Sequence, residues 1–293
     1  MKKSASSRLM MITSMALFGT LAPFVRKISV SSGELALYRA ILAAALIGLF
    51  LVLTKQKIPF RKIGKEIILL LASGAALGIN WILLFEAYKR TTVSVATLSY
   101  YFAPVIVTLV CPILFKERLT VKQIICFIMS TLGLVMITGI GGLGSDGLGG
   151  ILFGLGAAVF YATVILLNKF IKNVEGLHRT LLQFISAIIV LIPYVLLTGG
   201  ITLGNLNGEG WINLLIVGLI HTGVTYCMYF VSLKELTGQK AAILSYIDPL
   251  VAVLISVTAL GESMNVWQII GGALILGFTL WNEITIKTHK TNN

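Results

Sequence analysis

Ten apolar runs follow one another along the chain, at about residues 9–26, 34–54, 66–88, 93–115, 122–140, 148–170, 178–198, 210–232, 239–260 and 265–284. A bilayer core about 30 Å thick is crossed by about 20 helical residues. Each run is therefore long enough to be a membrane span, and the connections are too short to hold a soluble domain. Arg39 and Gln183 interrupt the second and seventh runs, which makes these the weakest of the ten. The start, MKKSASSRLMMITSMALFGTLAPF, has the outline of a signal peptide. With nine more apolar segments behind it, it reads as a retained first span. The expected fold class is an all-α membrane protein of ten transmembrane helices.

Composition agrees. Only 12% of the residues are charged, against about 25% in a typical soluble domain, and the mean hydropathy is +0.96. The net charge of +12 would raise nucleic-acid binding in a soluble chain. Here the basic residues sit in short loops between apolar runs, and no basic stripe with interleaved aromatics occurs, so no nucleic-acid partner is expected. Counted by loop, Lys and Arg divide 18 against 4 between the two sides, with Arg39 left inside a span. The positive-inside rule then places both termini in the cytoplasm of a protein in the plasma (inner) membrane. The cysteines, Cys111, Cys126 and Cys227, show no CxxC and no metal-ligand spacing, and read as small buried hydrophobes.

The chain repeats itself. A shift of 145 lays residues 78–125 on 223–270 without a gap, matching Gly78 with Gly223, Tyr101 with Tyr246, Pro104 with Pro249, Glu117 with Glu262 and Gln123 with Gln268. The first spans align at a shift of 142, through Phe18/Phe160 and Lys27/Lys169, and the Gly-rich GIGGLGSDGLGG joins the halves. The expected units are 1–141 and 142–293, with five spans each. Five is odd, so the second unit enters the membrane from the opposite side, the inverted repeat of many secondary transporters. Pro104 and Pro249 each leave a helix carbonyl unpaired and so mark bends facing protein or a cavity. A kink serving packing alone is the other reading. Glu117 and Glu262 are expected at helix ends, capping backbone or pairing with basic residues.

With these residues in view, the sequence resembles the drug/metabolite transporter superfamily, EamA type, over nearly its whole length. The resemblance is carried by ALFGTLAPFVRK in the first span, ELALYRAILAAAL opening the second, and APVIVTLVCPILFKERLT and DPLVAVLISVTALGESMN ending the fourth and ninth. It implies small-solute transport, usually export, by alternating access. It also implies a central cavity lined by the first, third, fourth, sixth, eighth and ninth spans. One departure is Asp248, where the first half has Ala103.

An ionisable residue inside a span is costly and a functional candidate. Asp248 lies near mid-depth, where it would hold a cation or exchange a proton, or else cap the bend or pair with Arg39. Arg39 would contact an anion, or instead anchor at the interface or pair with Glu34. The eighth span carries a polar stripe, His221, Thr222, Thr225, Tyr226 and Tyr229, that should face protein or water. Its repeat partner offers Asn80 and Trp81, the sixth span Tyr161 and Asn168, and the bends Tyr101 and Tyr246. His221 reads more readily as an interhelical hydrogen bond than as a proton switch. Glu86 and Arg90 have the spacing of an i, i+4 ion pair.

HExxH, GxSxG and P-loop patterns are absent. No enzyme activity, ATP use, cofactor or metal is expected. The expected partners are a small-molecule substrate, the lipid bilayer, and protons or a counter-solute. Asp248 hints at an amine and Arg39 at a carboxylate, which points to an amino acid or related amphipathic solute. The alternative is a non-transporting membrane sensor or assembly module. The oligomeric state is not legible in the sequence.

Overall fold

The computed structural model describes residues 2–58, 63–64, 66–115, 119–139, 145–236 and 238–284. Every predicted run is helical. The first half holds Lys2–Gly19 with Leu21–Arg26, Ser32–Leu53, Glu66–Arg90, Val93–Tyr100 with Ala103–Phe115, and Val121–Gly139. The second holds Ser145–Phe170, Gly176–Thr198, a continuous rod from Gly208 to Leu233, Gly238–Ser245 with Ile247–Thr258, and Val266–Ile284. No strand occurs among the described residues. There, seven helices are long and apolar enough to cross a membrane, and Val121–Ile137 and Ile243–Thr258 are shorter apolar helices. Despite Arg39 and Gln183, the second and seventh helices are unbroken.

Proline explains where the spans break. Pro104 and Pro249 cannot donate to the carbonyls of Tyr100 and Ser245, and helices end at those two residues. The breaks fall on Tyr101 and Tyr246, which the repeat aligns. The first span, expected as one run over 9–26, is also interrupted. Pro23 withholds its donor from Gly19, and the helix stops there before resuming at Leu21.

The packing respects the duplication. The first span lies against the eighth and ninth, and its repeat partner, the sixth, lies against the third and fourth. The second and seventh pack on each other, and on the eighth and third respectively. The fourth meets the ninth and the fifth meets the tenth. Exchanging the halves leaves this set of neighbours unchanged. The fifth and tenth spans touch backbone to backbone, since a Cβ on Gly133 would come 2.6 Å from the Gly271 carbonyl oxygen.

The direction of the second copy follows from Glu262. It lies just past the ninth span, yet accepts the backbone N–H of Val93, the first residue of the fourth, at 2.8 Å. The end of one bent span therefore shares a face of the bundle with the start of the other, and the two run antiparallel, as an inverted repeat requires. Glu117 lies outside the described residues.

Candidate functional site

Three neighbouring chambers meet at Tyr101, Tyr161 and Asp248. The main one, about 360 Å³, is lined by residues of the first, third, fourth, sixth, seventh, eighth and ninth spans. It reaches Arg179 at the start of the seventh span and Leu233 at the end of the eighth. A second, about 240 Å³, runs past Pro104 and Tyr246 to Glu283. A third, about 110 Å³, goes the other way and holds Arg39, Trp81, Thr97 and Tyr88. The main chamber suits a small solute.

Asp248 and Tyr101 meet because the two bends face each other. The Tyr101 hydroxyl donates to Asp248 Oδ2 at 2.6 Å across 147 residues of sequence. Tyr101 also stacks edge-on against Tyr100, which tilts onto Tyr161 with ring centroids 5.3 Å apart. The first span comes close enough here that a Cβ on Gly19 would lie 2.5 Å from the Asp248 carbonyl oxygen.

Beyond the third chamber the bundle is tied shut. Arg26 Nη1 pairs with Glu262 at 2.5 Å, its Nε donates to the Tyr88 carbonyl at 2.8 Å and its Nη2 to the Thr91 carbonyl at 2.7 Å. Glu262 also accepts the Ser256 hydroxyl at 2.5 Å and the Val93 N–H. Four spans, the first, third, fourth and ninth, are joined by one ion pair and its bonds. Gly261, at φ +66°, supplies the left-handed turn that folds Glu262 back onto the Ser256 carbonyl.

The sequence candidates divide. Trp81, Tyr101, Tyr161, Asn168, Tyr226, Tyr246, Asp248 and Arg39 line one or more chambers. Asn80 does not, because its side-chain amide donates to the Ala157 carbonyl at 2.6 Å and binds the third span to the sixth. His221 is turned toward the first span, with Nε2 3.0 Å from the Thr20 hydroxyl and its ring against Phe24. Thr225 donates to the Ile220 carbonyl at 2.8 Å within its own helix. The polar stripe is split, and residues 216–224 show why. They form a π-helical stretch, which changes the angular step between successive side chains. Tyr226 and Tyr229 keep the cavity, while His221, Thr222 and Thr225 are buried against protein.

Two pairings considered for Arg39 are not formed. Glu34 is occupied elsewhere, accepting the Thr202 backbone N–H at 2.7 Å and the Thr202 and Tyr38 hydroxyls. Asp248 takes the Tyr101 hydroxyl. Nor does Arg39 reach for the interface, for it is 3% exposed and points inward. Glu86 does pair with Arg90, at 3.3 Å. Among the residues not singled out as candidates, Gln183 joins the third, sixth and seventh spans by donating to Ser73 Oγ at 2.5 Å and Asn168 Oδ1 at 2.8 Å. Its position in an apolar run was the signal that could have marked it.

A family model described as the EamA-like transporter family matches residues 6–139 and again 148–282. A Bacillus subtilis (strain 168) protein named uncharacterized transporter YxxF is 30% identical over 281 residues, covering 94% of this chain and 88% of that one. An uncharacterized transporter of Archaeoglobus fulgidus is 31% identical over 67% of this chain and 70% of its own. A solved crystal structure shares the fold with a TM-score of 0.65 at 18% identity, covering 96% of this chain and 97% of that one.

Proposed function

This chain belongs to the EamA-like transporter family, and from that premise we propose that it is a secondary transporter exporting a small amphipathic metabolite, such as an amino acid, by alternating access. The membrane is the plasma (inner) membrane and both termini are cytoplasmic, a placement supported by the distribution of Lys and Arg. The repeat units are 1–141 and 142–293. Energy comes from a proton or counter-solute gradient.

The observation that carries the reading is the asymmetry of the cavity. It is tied shut on the side of Arg26 and Glu262 and extends to Arg179 and Leu233 on the other. Two inverted halves can exchange roles, so this is one of two conformations, the one facing the cytoplasm. Tyr101, Tyr161 and Asp248 stand at mid-cavity, where a solute must pass in both. The Asp248 carboxylate, which lines all three chambers, would there accept an amine or carry a proton.

The test is counterflow in liposomes holding purified protein, over a panel of amino acids, nucleosides, sugars and organic cations. Saturable exchange of at least one solute is expected. Asp248→Asn should lower that flux at least tenfold or abolish its pH dependence. No exchange over the whole panel by folded protein would overturn the reading and favour a sensor or assembly module.

A further inference from the structure

The smallest of the three chambers holds Arg39 without an ion pair among the described residues, although Asp248, bound to Tyr101, also lines it. Arg39 lies in the second span and is 3% exposed. Its Nε donates to Thr222 Oγ1 at 2.7 Å. The Thr222 hydroxyl in turn donates to the Val217 carbonyl, five residues back, at 2.7 Å. That step follows the π-helical stretch at 216–224, so the irregular turn holds the hydroxyl that holds the guanidinium. The guanidinium carbon lies 4.5 Å from the Trp81 ring centroid and 5.6 Å from that of Phe85.

Held from one side in this way, the side chain leaves its two Nη groups over. They make no hydrogen bond, and no carboxylate stands within ion-pair distance of them, among the described residues. The chamber of about 110 Å³ that Arg39 lines contains a second unmet group. Thr97 Oγ1 is buried with no hydrogen bond of standard geometry, and the Tyr88 hydroxyl is its polar neighbour.

A buried cation without an ion pair is costly, and stacking on an indole repays only part of the cost. A guanidinium fork presents two parallel N–H bonds that match a carboxylate. A hydroxyl can add a third. Resting on the transport reading for its place in the cycle, we propose that Arg39 anchors the carboxylate of the transported solute at the closed end of the cavity. The substrate class is then small organic carboxylates. Thr97 supplies the third bond, Trp81 flanks the group, and Thr222 is a positioning residue acting through Arg39.

Trp81 makes the test optical. In protein with Trp211, Trp267 and Trp281 replaced by Phe, its emission is titrated with benzoate, with benzamide of the same shape, and with phenylphosphonate. Benzoate should shift the emission saturably and benzamide should not. Arg39→Lys should weaken benzoate by about tenfold to a hundredfold, the range set by charge-assisted bonds. Thr97→Val should weaken it by less.

Equal responses to acid and amide, or an unchanged benzoate affinity in Arg39→Lys, would overturn the anchor. A response to phenylphosphonate alone would also overturn it. If Arg39→Lys does not fold, Thr222→Val replaces it, with a several-fold loss of benzoate affinity expected and no loss counting against the proposal. Counterflow separates this inference from the one beneath it. Benzoate binding at Arg39 with no counterflow of any carboxylate overturns transport and leaves the anchor. Counterflow of amides as fast as their acids leaves transport and overturns the anchor.

Discussion

Replacing Glu262 with Gln should release the closed end. The carboxylate accepts three bonds, from Arg26 at 2.5 Å, Ser256 at 2.5 Å and the Val93 N–H at 2.8 Å. Bonds to charged groups contribute about 1.5–3 kcal/mol each. Gln keeps the shape and one acceptor oxygen, so part of that survives. The Arg26 and Glu262 side chains are 27% and 12% exposed, which screens the pair only partly. A net loss of about 2–3 kcal/mol is reasonable, and it falls on the state in which these four spans are tied together. The population of the state open on this side should then rise about 30- to 150-fold. The assay replaces Cys111, Cys126 and Cys227 with Ala and introduces one cysteine at Leu84, which lines the smallest chamber. A membrane-impermeant maleimide is applied from the face that carries Glu262. If opening precedes labelling, the rate should climb with the open population. An unchanged rate in Glu262→Gln, with Arg26→Gln equally silent, would refute the assignment of this cluster as the closure.

Two glycines, with a third as control, test the helix packing. Gly271→Val should lower the melting temperature in detergent, at a cost of about 1–3 kcal/mol for overpacking, because its Cβ would meet the Gly133 carbonyl and part the fifth and tenth spans. Gly277→Val, where a Cβ meets nothing within 4 Å, is the control and should leave melting unchanged. Gly19→Val would drive a side chain against the Asp248 carbonyl, 2.5 Å from its Cβ, and Val251, 2.7 Å away. It should cut counterflow at least tenfold while the protein still melts cooperatively, and normal flux would mean that the first span need not touch the ninth at Asp248.

Length and pattern alone determined that the described residues form an all-helical bundle built from two copies of one unit, because hydrocarbon admits few other backbones and the register of Pro, Glu, Gln and Tyr survives translation by 145. The bends at Tyr101 and Tyr246 were equally legible, since a proline lacks its donor in any surroundings. Pro23 carries the same signal for the break after Gly19. Tertiary structure decided which side of each helix does the chemistry. Asn80 and Trp81 are neighbours in sequence, yet one binds a backbone carbonyl and the other lines a chamber, because successive helix residues point about 100° apart. The π-helical turn at 216–224 upset the spacing rule that grouped His221 and Thr225 with Tyr226. Whether Arg39 reached the interface, met Glu34, or faced inward unpaired depended on what the distant Thr202 and Thr222 offered, and no local pattern encodes partners so far along the chain.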